Sequence, residues 1–264
     1  MTKALNAEHI TKVFGGLTAV DDVSLHVDAK ELVALIGPNG AGKSTLLRTV
    51  TSQLPEIHGT VFLSEKRIQE IERTELARKM ALVTTERPRP EWMTCREMVA
   101  AGRYPYTGKL GILSDADWQI AEEALRIVQG EAFGDADYNR ISDGQRQRIM
   151  LARALCQEPE VLVLDEPTSF LDIQFKMDLL SVIRRIAKQK KIGVILSMHE
   201  LEFVPAVADR VACIGGGRVA CLGTPEEVIT GRNLEQFFGL QKDAGEEVAR
   251  GIHEYAQALR KWIR

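Results

Sequence analysis

Residues 37–45 read Gly37-Pro38-Asn39-Gly40-Ala41-Gly42-Lys43-Ser44-Thr45 and fit the pattern Gly-x-x-x-x-Gly-Lys-Ser/Thr. An unbroken apolar run, Leu32–Ile36, comes directly before them and is typical of a strand buried on both faces. A helical pattern from Lys43 to Thr51 comes directly after. Between such a strand and helix, glycines allow a tight turn whose N–H groups, together with the helix N-terminus, point at phosphate oxygens. The sequence therefore predicts a phosphate-binding loop, in which Lys43 reaches the β- and γ-phosphates of a nucleotide and the Ser44 hydroxyl ligates Mg²⁺.

A second apolar run delivers two carboxylates. The strand predicted at Val161–Leu164 is followed by Asp165 and Glu166, and α/β sheets carry their chemistry at the carboxyl ends of their strands. Asp165 suits the role of holding Mg²⁺ through water, and Glu166 suits the role of polarising an attacking water. The two acids could instead cap the turn that Pro167 opens, but the phosphate-binding loop in the same chain argues against this alternative.

His199 follows the next apolar strand, Gly193–Leu196, with Ser197 and Met198 between them. A lone histidine is more often a structural core or surface residue than a catalyst. Because this one ends a strand of the same predicted sheet, we expect it to face the γ-phosphate. The other histidines have only the structural interpretation: His9, His26, His58 and His253.

The composition excludes several classes of protein. The chain has 264 residues and a net charge of −3, which fits a globular α/β protein and argues against a basic nucleic-acid-binding surface. Its four cysteines form no Cys-x-x-Cys pair and suggest core thiols in a reducing compartment, without a metal site. Residues 1–9 do not resemble a signal peptide, and no apolar run is long enough to cross a bilayer. We therefore expect a cytoplasmic chain that acts on a membrane only through partners.

The order of elements predicts a mostly parallel sheet flanked by helices. Further strands are expected at Val20–Val27, Val61–Leu63, Ala81–Thr84, Val211–Ile214 and Arg218–Cys221, and further helices at Gly144–Cys156 and Ile173–Lys188. Residues 91–134 form a helical insertion, in which Ser114-Asp115 is the expected N-terminal cap of one helix. After a polar break at 241–245, an amphipathic helix carries an apolar stripe that either packs against its own domain, as we favour, or contacts a partner: Val248, Ile252, Tyr255, Leu259 and Trp262.

Residues 141–148, Ile-Ser-Asp-Gly-Gln-Arg-Gln-Arg, complete a set of motifs. With them the chain resembles the nucleotide-binding subunits of ABC transporters over most of its length, from about residue 2 to residue 240. The matching motifs are the aromatic A-loop residue Phe14, Walker A (Gly37–Thr45), the signature (Ile141–Gln145), Walker B (Leu162–Glu166), the D-loop (Ser169–Asp172) and the switch histidine His199. Several motifs in the family's order make this resemblance specific.

The resemblance implies a P-loop NTPase fold with an antiparallel β part near the N-terminus. It implies an ABC ATPase domain over residues 1–240, with a helical subdomain at about 91–134, followed by the C-terminal helix at 241–264. ATP and Mg²⁺ are the implied ligands, Phe14 the residue that stacks on adenine, and Glu166 and His199 the catalytic residues. In an ATP-dependent head-to-tail homodimer, the signature of one subunit would cap ATP bound to the other, through Ser142, Gly144 and Gln145, with the D-loop residue Asp172 at the same nucleotide.

The implied partners are permease subunits on separate chains, contacted by the helical subdomain, and a substrate-binding protein. The subunit would then lie at the cytoplasmic face of the membrane, with no nucleic acid as partner. Residues 97–106, Glu-Met-Val-Ala-Ala-Gly-Arg-Tyr-Pro-Tyr, resemble the subunits that drive import of iron-siderophore complexes, haem or cobalamin. An amphipathic helix end with a Tyr-Pro turn would also explain this stretch without any partner.

Three positions depart from the family pattern. Asp143 replaces the first glycine of the signature, and we expect it to point away from phosphate and to lie favourably at the positive end of its helix. The Q-loop glutamine is missing, and Thr85 or Glu86 lies in its region. Glu86 could ligate Mg²⁺, or Arg87 and Arg89 could form a solvated loop instead. Lys30 replaces a glycine before Glu31, which we expect to alter only a turn.

The resemblance leaves other functions open. A soluble ABC ATPase scaffold is one alternative, although residues 103–106 and the lack of long coiled-coil insertions argue against it. An exporter subunit is another, because import is preferred through the subfamily resemblance alone. Glu166 and His199 argue against a regulatory subunit that does not hydrolyse ATP.

Overall fold

The computed structural model describes residues 3–55, 58–86 and 88–263, so the first two residues of the predicted domain lie outside it. The strands are β1 (Lys3–Phe14), β2 (Leu17–Asp28), β3 (Leu32–Ile36), β4 (His58–Leu63), β5 (Lys66–Arg67), β6 (Met80–Val83), β7 (Val161–Leu164), β8 (Gly193–Ser197), β9 (Arg210–Gly215) and β10 (Arg218–Gly223). The helices are α1 (Lys43–Val50), α2 (Arg73–Lys79), α3 (Cys95–Ala100), α4 (Asp115–Ile127), α5 (Asp143–Cys156), α6 (Ile173–Lys190), α7 (Val204–Val207), α8 (Pro225–Val228), α9 (Gly231–Phe238) and α10 (Gly245–Leu259).

The larger sheet has the strand order β10-β9-β3-β8-β7-β6. All neighbours in it run parallel except β9 and β10, which pair antiparallel. The predicted α/β class and the mostly parallel sheet are confirmed. Because β3, β8 and β7 are adjacent and parallel, their carboxyl ends meet at one edge of the sheet, where the predicted site residues follow them.

The smaller sheet is the antiparallel part that the family resemblance implied. Its order is β2-β1-β4-β5, and every pair in it is antiparallel. The long hairpin of β1 and β2 turns at Gly15 and Gly16, so the exposed aromatic ring of Phe14 lies at its tip.

The larger sheet lies between two apolar layers. Alternate residues of β3 belong to different clusters, as expected for a strand buried on both faces. Leu32, Ala34 and Ile36 pack in the cluster that includes α5, α6 and α10. Val33 and Leu35 pack in the cluster that includes α1 and the smaller sheet. Three of the four cysteines are buried and Cys221 is half-buried, which confirms the core-thiol interpretation.

The helical insertion packs through α3 and α4 against α5. Two capping boxes begin its helices, Thr94 with Glu97 and Ser114 with Asp117, and the second confirms the predicted cap. The stretch with the Arg-Tyr-Pro-Tyr motif is held within the fold. Buried Arg103 donates to Asp117 at 2.9 Å and to Glu158 at 2.8 Å, so the structure explains this side chain without a partner.

The C-terminal helix packs against its own domain through α9 and α7, which confirms the favoured interpretation of its apolar stripe. Within the stripe, Leu259 is buried, Ile252 packs against the core, and Tyr255 contacts the Phe203 ring edge-on at 6.0 Å between centroids although it is partly exposed. Val248 and Trp262 are exposed, and Trp262 lies beyond the end of α10. The helix also buries Ala249 and Ala256, which the predicted stripe did not include.

Candidate functional site

The phosphate-binding loop connects β3 to α1 at the carboxyl edge of the larger sheet. Two of its glycines are required both by their backbone conformation and by the lack of space for a side chain. Gly37 and Gly42 have φ of 146° and 99°, values that favour glycine. A Cβ on either would lie about 2 Å from a backbone oxygen, at 2.1 Å from Ile214 O and 2.2 Å from Ala19 O respectively. Neither position could carry a side chain, so the loop backbone packs directly against the neighbouring segments and forms a tight cradle.

Lys43 opens α1 and bends back over this cradle. Its Nζ donates to Gly37 O at 2.7 Å and to Pro38 O at 3.0 Å, and only 5% of the residue is exposed. Burial lowers the pKa of the Lys43 ammonium, while the carboxylates of Glu166 and Asp165 oppose that shift. The first turn of α1 carries no acidic residue and no side-chain cap, so its N–H groups and its positive end suit an anion.

The remaining residues of the loop are arranged around the cradle. Pro38, Asn39 and Gly40 are exposed at its tip, Ala41 is buried, and Thr45 is half-buried in the first turn of α1. The structure therefore brings all nine residues of the predicted loop into one turn.

Asp165 is 2% exposed and lies at the centre of the site. Its Oδ1 accepts hydrogen bonds from Ser44 Oγ at 2.9 Å and from Ser197 Oγ at 2.8 Å. A hydroxyl beside a carboxylate is a hard-oxygen donor set, which fits Mg²⁺ that shares its remaining ligands between water and phosphate. In the part of the chain described, no cluster of three or more His, Cys, Asp or Glu side chains could hold a metal ion by itself.

Glu166 and His199 lie in contact. His199 Nε2 is hydrogen-bonded to Glu166 Oε1, and Ser169 Oγ donates to Glu166 Oε2 at 3.2 Å. Glu166 has φ of 49°, a left-handed conformation that is uncommon for a residue other than glycine. Its N–H donates to Ser197 Oγ at 2.8 Å. The carboxylate is thus held by two side chains, and the backbone of Glu166 is held by a third.

Ser197 was missed by the sequence analysis. It is the last residue of β8, is fully buried, and joins Asp165 to the backbone of Glu166. The rule that strand ends carry the chemistry, applied to Gly193–Ser197 as it was to Val161–Leu164, would have found it.

Phe14 is 44% exposed, and Lys12 Nζ lies 5.2 Å from the centroid of its ring. A half-exposed ring at the end of a strand is available for stacking on a planar base. The structure does not bring Phe14 into hydrogen-bonded contact with the loop, so its role toward adenine stays a prediction.

The signature residues lie at the start of α5. Ser142 caps the helix by accepting from Gln145 N, while Gln145 Oε1 accepts from Ser142 N at 2.9 Å. Asp143 lies in the first turn, at the positive end of the helix as expected, and forms an ion pair with Arg146 at 2.9 Å; its orientation relative to phosphate stays a prediction. Gly144 is required where α5 meets α6, since a Cβ would lie 2.7 Å from the Phe175 ring.

Asp172 caps α6 by accepting from Phe175 N at 3.0 Å. In the described part of the chain, no hydrogen bond or ion pair joins Ser142, Gln145 or Asp172 to the phosphate-binding loop. Their contacts with nucleotide stay a prediction.

Glu86 is engaged elsewhere. Its side chain is 76% exposed and forms an ion pair with Arg48 at 2.7 Å, one helical turn beyond Ser44. The described contacts do not connect it to Ser44 or Asp165, so its role as a Mg²⁺ ligand stays a prediction that the geometry does not favour. Arg89 is exposed, and Arg87 lies outside the described residues.

The comparisons with known proteins agree with this site. The sequence profile of the ABC transporter family matches residues 20–169. An uncharacterized ABC transporter ATP-binding protein of Methanocaldococcus jannaschii is 39% identical over 92% of this chain and 84% of its own length. A petrobactin import ATP-binding protein of Bacillus anthracis is 30% identical over 91% and 88% of the two chains. A ferric enterobactin transport ATP-binding protein of Escherichia coli is 31% identical over 90% and 88%.

The fold also resembles solved structures. A nucleotide-free ATP-binding cassette from an ABC transporter superposes with a TM-score of 0.78 at 25% identity, covering 92% of this chain and 97% of that one. In the described part of this chain, no helix is long and apolar enough to span a bilayer.

The Ser197 hydroxyl offers a test of the site's construction. We expect Ser197→Ala to lower the free energy of unfolding by about 1–3 kcal/mol, because it leaves the buried N–H of Glu166 without its acceptor. The measurement is urea unfolding. Ser181→Ala in α6 is the control and should not destabilise the protein, since alanine is the better helix former. An equal stability of Ser197→Ala and wild type would contradict this description of the site.

Proposed function

The chain belongs to the ABC transporter family, whose ATP-binding subunits hydrolyse ATP to power transport, and we propose that it energises an importer of iron-siderophore, haem or cobalamin-type substrates. The observation that carries the ATPase activity in this proposal is the single cluster of Lys43, Ser44, Asp165, Glu166 and His199 at one edge of the sheet. Each chemical task of ATP hydrolysis has a residue in this cluster.

The cradle and Lys43 bind the phosphates of ATP. Ser44 and Asp165 would hold Mg²⁺, which supplies positive charge to the phosphate oxygens when bound. Glu166 accepts a proton from the water that attacks the γ-phosphorus, and His199 orients the Glu166 carboxylate and contacts the γ-phosphate. ADP and inorganic phosphate are the products.

We further propose that ATP joins two copies of the chain. Ser142 and the N-terminus of α5 form a second anion-binding surface, and the ion pair of Asp143 with Arg146 reduces the repulsion that an acidic residue would exert there. Phe170 supports an interface next to Glu166, because it is apolar and 86% exposed. Phe14 stacks on the adenine of the same ATP, and Gly144, Gln145 and Asp172 belong to the capping surface.

The partners in this proposal are permease subunits on separate chains and a substrate-binding protein outside the membrane. A cleft of about 420 Å³ offers a docking site between β6 and α5, lined by residues including Leu82, Glu86, Pro88 and Met150. The helical insertion separately exposes large apolar side chains that a permease would cover: Trp92, Tyr104, Leu110 and Ile112. The subunit would lie on the cytoplasmic face of the membrane, held there by the permease.

The relatives support import. The Bacillus anthracis relative is an import protein for petrobactin, and the Escherichia coli relative serves ferric enterobactin transport. Both match this chain over nearly its full length. A soluble scaffold or an exporter subunit would share the site, so activity alone does not separate these functions.

Glu166→Gln tests the hydrolysis step. The amide cannot accept the proton from water, so we expect turnover to fall by about 100-fold or more, while the variant still binds ATP and accumulates as a dimer.

Lys43→Ala tests nucleotide binding. It should weaken ATP binding by about 10-fold or more, because it removes charged hydrogen bonds to phosphate. Phosphate release and equilibrium binding of labelled ATP measure the two effects. Glu254→Gln on the exposed face of α10 is the control, and unchanged turnover in Glu166→Gln would remove Glu166 from its role.

Substrate uptake tests the importer. In a strain that lacks this chain, we expect accumulation of labelled ferric siderophores, haem or cobalamin to fall for at least one of these substrates. Wild-type protein should restore it, and Glu166→Gln should not, because transport requires turnover. Normal uptake of all three substrate classes in the deletion strain would contradict the proposed cargo.

A further inference from the structure

Two loops leave neighbouring strands side by side at the site. The loop after β7 carries Glu166 and continues to residue 172, and the loop after β8 carries His199 and continues to residue 203. Two contacts at the site join these segments: Glu166 N–H donates to Ser197 Oγ at 2.8 Å at the end of β8, and His199 Nε2 is hydrogen-bonded to Glu166 Oε1.

Glu200 joins the same loops at a third point, outside the catalytic pair. Its Oε2 accepts from Thr168 Oγ1 at 2.9 Å, and its Oε1 accepts from Lys176 Nζ of α6 at 2.8 Å. Thr168 is only 1% exposed, and the side chains of Lys176 and Glu200 are 19% and 21% exposed. The link is therefore largely shielded from water, which strengthens it.

The negative charge of Glu200 is balanced by the Lys176 ammonium. Burial raises the pKa of its carboxyl, but the hydrogen bonds from Lys176 and Thr168 outweigh burial, and the pKa ends below its ordinary value. Glu200 is thus a carboxylate that two donors hold in one orientation.

The contacts made by Ser197 and by Glu200 lie on either side of the Glu166–His199 pair. Glu166 lies two residues before Thr168, and His199 directly precedes Glu200. Because Glu166 adopts a left-handed backbone conformation, φ 49°, its geometry has to be maintained by the surroundings. Ser197 supplies one anchor and Glu200 supplies the other.

We propose that Glu200 is a positioning residue for ATP hydrolysis, which fixes the loop of Glu166 relative to the loop of His199 through Thr168 and Lys176. The inference rests on the proposed function, in which Glu166 and His199 act on ATP. It adds three residues that contact neither phosphate nor the attacking water. Since a displacement of about 1 Å at a reacting group can cost about 100-fold in rate, such a link affects turnover more than binding.

The experiment compares Thr168→Val with Thr168→Ser. Valine keeps the shape of threonine but cannot donate to Glu200, so we expect kcat to fall about 10-fold with KM for ATP within about twofold. Serine keeps the hydroxyl and should restore kcat to within about twofold of wild type. If Thr168 acted through packing alone, serine would be the more harmful substitution, because it lacks a methyl group and leaves a small cavity, whereas valine fills the same space as threonine.

Glu200→Gln provides an independent route if Thr168→Val does not fold. The amide oxygen can still accept from Thr168 but no longer neutralises Lys176, so we expect kcat to fall about threefold or more. In the double variant the two effects should be less than multiplicative, because both act through one link. Glu202→Gln, two residues along the same loop, makes none of these contacts and is the matched control, expected within about twofold of wild type.

Values of kcat within twofold of wild type for both Thr168→Val and Glu200→Gln would overturn the positioning role. So would effects confined to KM, or single effects that multiply in the double variant. Glu166→Gln, measured in parallel, separates the two claims. If Glu166→Gln loses turnover while Thr168→Val keeps it, only the role of Glu200 is wrong. If Glu166→Gln keeps turnover, the proposed function itself is wrong.

Discussion

The site depends on one buried carboxylate. Asp165 Oδ1 accepts from Ser44 at the start of α1 and from Ser197 at the end of β8, and Asp165 itself follows β7. Three separate parts of the chain thus converge on a single oxygen atom. The parallel order β3-β8-β7 makes this possible, because the backbone topology alone places the carboxyl ends of the three strands side by side. Lys43, Glu166 and His199 take their positions from the same three segments.

Much of this arrangement could be predicted from the sequence. The strands buried on both faces appear as unbroken apolar runs, and the residues that follow them are those that the structure brings together. β1 was not predicted, since its alternation is interrupted by register shifts between Ala7 and Ile10. α2 was missed because it buries none of its residues, so it leaves no apolar periodicity.

Other features could not be predicted because they depend on which residues of distant segments come into contact in the folded chain. The stripe of α10 was assigned to large side chains alone, but the helix also buries the small residues Ala249 and Ala256. Nothing in the sequence indicates that Glu200 faces Thr168 and Lys176, which lie 32 and 24 residues away. Lys30 adopts φ of 68°, and this left-handed turn explains why a glycine would suit the position.

The departures from the family pattern concern coupling more than chemistry. Asp143 is paired with Arg146 and Glu86 with Arg48, so both acidic residues are neutralised by neighbours on their own chain. Both ion pairs are at least partly exposed to solvent and can be exchanged for contacts with a second subunit or a permease at little cost. The hydrolytic cluster around Asp165 is untouched by either.

The central claim is that this ATPase works on a membrane partner. The most direct measurement is to isolate the chain from gently solubilised membranes of its native host and to identify what co-purifies in stoichiometric amount. Our account predicts a polytopic membrane protein in a defined ratio to this subunit. If only soluble proteins co-purified while ATPase activity was intact, the importer function would be contradicted, and the hydrolytic site would have to serve a soluble assembly.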